Sequence, residues 1–229
     1  MMFNSYRPAR FLTLAAAALA VSALSARSDA GVVALGGGWQ AEWDSSLDGF
    51  VDIQVDAISG NNIFIQKSAQ FTQPPSGGLF APIPIVFRQV AASTIMHIVI
   101  EDEIITNQTG SPWTDFHMDI LDSGDASFNP AMTAASGGPG PIGFNISPFT
   151  TASFTPDNMS LNIGGGVVAN GQTWFPGRGS NDGQLWINVN SHTTMPYTVF
   201  TLKETPTPTP GVLALLGVAG MLGRSRRRR

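Results

Sequence analysis

The sequence predicts an all-β fold, an antiparallel β-sandwich of the jelly-roll-like or Ig-like kind, on three observations. Glycine and proline are abundant, at 25 and 16 of 229 residues, and both interrupt helical hydrogen bonding. Apolar and polar residues alternate at period two through the middle of the chain, the pattern of strands with one buried face. No segment of that middle region reads as a convincing helix, and no fixed-length repeat points to a solenoid.

Taken in order, residues 1–30 read as a secretory signal helix. Arg7 and Arg10 precede an apolar run from Phe11 to Leu24, and the small residues Ser28 and Ala30 lead to Gly31, the order that a signal peptidase requires. The body then spans 31–204. Its clearest strands are Val51-Ile53-Val55 alternating with Asp52-Gln54-Asp56, Leu185-Ile187-Val189 alternating with Trp186-Asn188-Asn190, and the run Tyr197 to Lys203. Ile95 to Ile105 and Trp113 to Leu121 flank Thr106-Asn-Gln-Thr-Gly-Ser-Pro112, whose Gly and Pro predict a hairpin. Further strands are expected at Gly38–Trp43, Ile63–Phe71, Pro84–Val90, Gly143–Thr150 and Met159–Ile163. Regularly spaced short strands with Gly/Pro turns favour a sandwich.

After the body, residues 205–210 read as an extended Thr/Pro linker. Residues 211–229 follow as a short hydrophobic helix and an Arg-rich end. The apolar stretch Val212 to Leu222 is too short to cross a hydrocarbon core of about 30 Å at about 1.5 Å per residue. Its arginines would stay on the cytoplasmic side. Together these parts describe a segment held temporarily in the inner membrane.

Pro206, Pro208, Pro210 and Gly211, followed by the Leu/Gly/Ala run and by Arg224, Arg226, Arg227, Arg228 and Arg229, resemble the PEP-CTERM sorting signal. The resemblance implies recognition by an exosortase-like processing enzyme of a Gram-negative-type bacterium and delivery to the cell envelope, surface or an exopolysaccharide matrix. It departs from that signal in having no Glu between the prolines. The segment from Ile105 to Met118 is also similar to a phrase of β-sandwich ectodomains that carry such tails.

Charge sharpens the picture. The chain carries a formal charge of -4, yet eight of its twelve basic residues lie in the two ends. Between Gly31 and Pro210, four basic residues face fifteen acidic ones, a balance of -11. Such a body repels nucleic-acid phosphates and suits cations. The absence of cysteine removes disulfides, thiolate nucleophiles and Cys-based zinc sites.

Chemistry-bearing residues are few. If the predicted hairpin is centred near Thr109, Glu103 lies opposite Asp115 and Glu101 opposite His117, on one face with Asp119. Carboxylates opposed in that way would suit a Ca2+ ion; the alternative is a solvated sheet face. Asp44-Ser-Ser-Leu-Asp48-Gly49 matches the start of a calcium loop but has Val55 where a bidentate Glu belongs, so a plain Asp-Gly turn is favoured. His97, His117 and His192 lack zinc-ligand spacing, and no Gly-x-Ser-x-Gly occurs. Among five tryptophans, Trp186 falls on the polar side of its strand and is the candidate sugar contact; the alternative is a Trp covering a sheet.

The leading expectation is thus a secreted, transiently membrane-retained, non-catalytic protein of the cell surface or extracellular matrix. A surface carbohydrate-binding module comes next, recognised by a row of exposed aromatics. An extracellular hydrolase comes third, recognised by a deep pocket with paired carboxylates.

Overall fold

A computed structural model describes residues 31–121, 124–179 and 181–208. The predicted signal helix and hydrophobic tail helix lie outside the described residues. Within them the fold is all-β: two sheets pack face to face around one hydrophobic core, as expected of a sandwich.

Thirteen strands build the sheets among the described residues. They are β1 (Gly31–Gly36), β2 (Trp39–Trp43), β3 (Val51–Ser59), β4 (Asn62–Phe71), β5 (Ile83–Gln89), β6 (His97–Asn107) and β7 (Trp113–Leu121). The remainder are β8 (Ala126–Phe128), β9 (Thr151–Phe154), β10 (Ser160–Gly164), β11 (Thr173–Trp174), β12 (Leu185–Val189) and β13 (Val199–Pro208). One sheet has the order β1-β2-β5-β13-β7-β10-β9, the other β3-β4-β6-β12-β8, with β11 pairing β6. All pairings are antiparallel except β4 with β6, which run parallel, so the second sheet is mixed. The crossover is explained by β5, which lies between them in sequence but belongs to the opposite sheet.

Alternation decides which side chains meet. Ile83, Ile85 and Phe87 of β5, Phe200 and Leu202 of β13, and Phe116, Met118 and Ile120 of β7 point inward from one sheet. Ile63 and Ile65 of β4 with Ile98, Ile100 and Ile105 of β6 meet them from the other. Trp113 is fully buried, with ring centroids 5.2 Å from Phe71, 6.3 Å from Phe80 and 6.1 Å from Phe116.

The predicted hairpin is a crossing instead. β6 lies in the six-stranded sheet and β7 in the seven-stranded one, so Thr106–Pro112 carries the chain over the edge of the sandwich. Asn107, fully buried, holds that corner. Its Nδ2 donates to the carbonyls of Ser111 and Val168, while its Oδ1 accepts from the amide and hydroxyl of Thr109. Gly and Pro marked a change of direction correctly, but a change of direction need not return the chain to the same sheet.

Three further expectations are corrected. Gly143–Thr150 is an irregular plug whose buried Phe144, Ile146 and Phe149 imitate strand alternation. A six-residue helix, α1 (Pro130–Ala135), interrupts the all-strand body, capped by the Asn129 side chain on the Met132 amide. The Thr/Pro linker does not begin at 205, because β13 runs to Pro208 and pairs with β7 from Thr201 to Pro208, Pro206 opposite Phe116. Past Glu204 its pairing with β5 has ended, so the strand has only one neighbour there, where a missing proline N–H is tolerated.

Replacing Trp113 with Ala should cost about 3–5 kcal/mol of unfolding free energy, the range for deleting a large buried aromatic. The loss is read as a lower urea midpoint at unchanged slope.

Candidate functional site

β4 is regular where both of its neighbours bulge. Ile65 pairs with Val55 of β3 on one side and with Ile100 of β6 on the other. Next to those pairs, Asp56 on β3 and Glu101 on β6 are each the extra residue. A bulge shifts the alternation of every residue beyond it. Ile98 and Ile100 face the core before the β6 bulge; Glu103, Ile105 and Asn107 face it afterwards. Three consecutive acidic residues are thereby divided: Glu103 goes into the core, and Glu101 and Asp102 go to the outside.

Outside, Glu101 and Asp102 line a cleft of about 490 Å³ together with Gln66, Ser136, Gly179, Gly183 and Gln184. The Gln184 amide donates to Glu101 Oε1 at 2.6 Å. Ser136, just after α1, accepts from the Gln184 backbone amide at 2.9 Å and donates to the Thr133 carbonyl at 2.6 Å, fixing the wall opposite the bulge. Gly183 turns that wall with φ +77°, and a Cβ there would meet the Gly143 carbonyl oxygen at 2.0 Å, so only glycine fits.

Partial burial raises the pKa of Glu101. The Gln184 hydrogen bond opposes this, while the neighbouring Asp56 carboxylate adds to it. Burial also raises Asp102, against the pull of Arg178 and with the repulsion of Asp182. Arg178 itself sits over the Phe175 ring, 4.3 Å from its centroid. The cleft is thus lined by amides, a hydroxyl and carboxyls, groups able to donate and accept hydrogen bonds but with no aromatic floor.

Inside, Glu103 meets Lys67 of β4 and Glu204 of β13. Lys67 Nζ is 3.3 Å from Glu103 Oε1 and 2.5 Å from Glu204 Oε1, with all three side chains sealed from solvent. Burial works against the lysine charge, but the two carboxylates outweigh it and raise the Lys67 pKa. Burial pushes Glu103 up to about 7, with Lys67 opposing and Glu204 and Asp102 adding to the shift.

The four residues expected to bind a cation are therefore not gathered. Glu103 is in the core and Glu101 in the cleft. Asp119 pairs with Lys203 at 2.9 Å and accepts from Ser160 at 2.7 Å on the outer face of the other sheet. Asp115 accepts from Thr114 at 3.2 Å. The assumed opposition of Glu103 with Asp115 fails because their strands belong to different sheets. Among the described residues, no group of three or more His, Cys, Asp or Glu could hold a metal ion. Asp44 caps a single 3-10 turn through the Ser46 amide, and Asp48 accepts from Trp43 Nε1 at 3.2 Å, so that loop is the plain turn expected.

Trp186 is 9% exposed, with Phe64 and His97 edge-on at 6.1 and 5.3 Å between ring centroids. Its backbone amide donates to Thr133 of α1, which covers this part of the outer sheet face. It covers a sheet and is no open platform; the other four tryptophans are buried as well. No protein-family model, curated protein or solved structure matches the chain at a significant level.

Lys67 and the paired bulges were missed from the sequence. The available signal was a lone lysine at an inward position of an otherwise apolar alternating strand, Ile63-Ile65-Lys67-Ala69-Phe71.

A titration follows from the buried carboxyl. Glu103 has a folded pKa above its ordinary 4.5, so the folded chain retains a proton that the unfolded chain releases. That contribution is complete below about 4.5 and is lost as pH rises through about 7. It amounts to about 3 kcal/mol. The contribution of Lys67 is constant in this window, being lost only above the ordinary lysine range. Melting temperature should fall between pH 4.5 and 8 in the parent and much less in Glu103→Gln. Parallel slopes would refute the assignment.

Proposed function

We propose that this chain is an exported, non-catalytic protein of the cell surface or extracellular matrix. A jelly-roll-like or Ig-like sandwich is presented outside the cell and retained for a time in the inner membrane by its C-terminal tail. The resemblance of Pro206–Arg229 to a PEP-CTERM signal carries the reading, with a signal peptidase and an exosortase-like enzyme as the processing partners. The position of β13 supports it. The strand that leads into the tail lies between β5 and β7 near the middle of the seven-stranded sheet. A pull on the tail is therefore borne along the hydrogen-bonded ladders of a central strand.

The same strand decides how the reading is tested. Cutting at Pro206 would remove residues paired with Phe116, Asp115 and Trp113, so loss of retention could reflect a damaged fold. Deleting residues 209–229 leaves β13 whole. That deletion should release the domain from the membrane fraction at unchanged melting temperature, whereas deletion from 206 should also lower the melting temperature. Unchanged localisation and unchanged size of the 209–229 deletion beside the parent would refute retention by the tail.

A second reading, carbohydrate binding, is favoured by the cleft and no longer by Trp186. Amides, hydroxyl and carboxyls suit sugar hydroxyls, and an exopolysaccharide is the matching partner. Gln184→Ala should then weaken binding on a glycan array about 10-fold or more, as expected for losing a hydrogen bond to a charged group. A parent chain that binds no glycan removes this reading. For the hydrolase reading, Asp56 and Glu101 are in direct contact, whereas glycoside hydrolysis needs carboxyls about 5–9.5 Å apart.

A further inference from the structure

Lys67, Glu103 and Glu204 meet where charge is least welcome. Their walls are Ile65, Ala69, Ile105, Leu202, Met118 and Ile83, all buried. Neither the lysine nitrogen nor any of the four carboxylate oxygens has a partner in hydrogen-bond geometry among the described residues. The amine lies within ion-pair distance of both carboxylates. Leaving buried charges with unmet hydrogen bonds costs several kcal/mol per ion. Such groups tend to neutralise instead.

Chemistry offers a neutralisation beyond proton transfer. We propose that Lys67 and Glu204 condense into an isopeptide bond that joins β4 of one sheet to β13 of the other, with Glu103 as the proton relay. Nζ lies 2.5 Å from Glu204 Oε1, and the carboxyl carbon is one bond further on. That separation matches near-attack distances of about 3–3.5 Å for reacting atoms held in place by a fold.

Proton transfer from the ammonium to Glu204 gives a transient neutral amine and carboxylic acid, a minor state because the two carboxylates hold the Lys67 proton. The Nζ lone pair then attacks Glu204 Cδ, forming the C–N bond. Glu103, 3.3 Å from the same nitrogen, takes the proton that the nitrogen sheds and returns it to the departing hydroxyl. The C–O bond breaks and one water leaves. Glu103 ends as it began, and the step needs no oxidant, reductant or added reactant.

Glu204 rather than Glu103 is the acyl partner because it is nearer and comes from the opposite sheet. Glu103 is the direct ladder partner of Lys67 in the same sheet. The product replaces two charges by one amide, whose N–H can donate to Glu103. Glu103 loses its cationic neighbour in the product, so its pKa remains raised. A chain without cysteine thereby acquires a covalent tie between its sheets, at the strand that leads to the tail.

The test is mass spectrometry of the full chain, by peptide mapping, so that processing at either end does not affect the result and the export reading stands or falls separately. The parent should give a branched peptide joining the Lys67 and Glu204 segments, lighter by one water than the sum of its parts. Lys67→Arg keeps a cation but should abolish the branched peptide, and Glu103→Gln should reduce it by at least 10-fold. Two linear peptides of full mass from the folded parent would overturn the proposal, whether or not the variants fold. A branch to Glu103 would overturn the assignment of roles, and undiminished branching in Glu103→Gln would overturn the relay.

Discussion

The arrangement of β4 between two bulged neighbours is the constraint on which the rest of the site depends. β4 keeps an unbroken phase, and the extra residues fall in β3, an edge strand, and in β6 just past Ile100, where its pairing with β12 ends. Asp56 and Glu101 are the residues displaced, and both adjoin the pairs made by Ile65. One backbone irregularity in β6 thus produces the outer cleft and the inner charge cluster at once. Removing it would return Glu103 to the solvent side and leave Lys67 with Glu204 alone.

The cluster changes what the core is. Most of the interior is Ile, Phe and Trp packed between sheets, a non-directional attraction that tolerates small slips in how the sheets face each other. Charges do not tolerate them. Lys67 contacts Glu103 from its own sheet and Glu204 from the other, so the triad specifies one relative placement of β4, β6 and β13. Asn107 does related work at the corner where the chain leaves one sheet for the other, through hydrogen bonds instead of charge. Both are buried polar devices in places where an apolar residue would give adhesion without direction.

Much of the fold was legible in the sequence because strand alternation is a local signal. Val51-Ile53, Ile63 to Phe71, Pro84 onward and Leu185-Ile187-Val189 follow from period two alone, and the structure has strands there. What failed was non-local. Ile98-Val-Ile-Glu-Asp-Glu-Ile-Ile105 does not reveal where its phase changes, since both Val99 and Ile100 are buried and the bulge leaves no sequence mark. The carboxylate pairing expected across residues 106–112 assumed that neighbours in sequence share a sheet. Trp186 faces outward as alternation predicts, but α1, absent from the sequence reading, covers that face. Thr205-Pro-Thr-Pro208 reads as linker by composition; its alternate prolines instead share the buried face of β13 with Phe200, Leu202 and Glu204.

That last strand has a consequence for how the domain comes into being. β13 lies between β5 and β7, and without it the seven-stranded sheet is two separate pieces, β1-β2-β5 and β7-β10-β9. Each piece would carry an open edge and an uncovered apolar face, the features that make partly built β-domains prone to association. The piece that unites them is the last strand of the described residues, so closure waits until β13 has been made, and its pairings span long stretches of sequence. Completion of the sandwich is therefore timed by the emergence of β13.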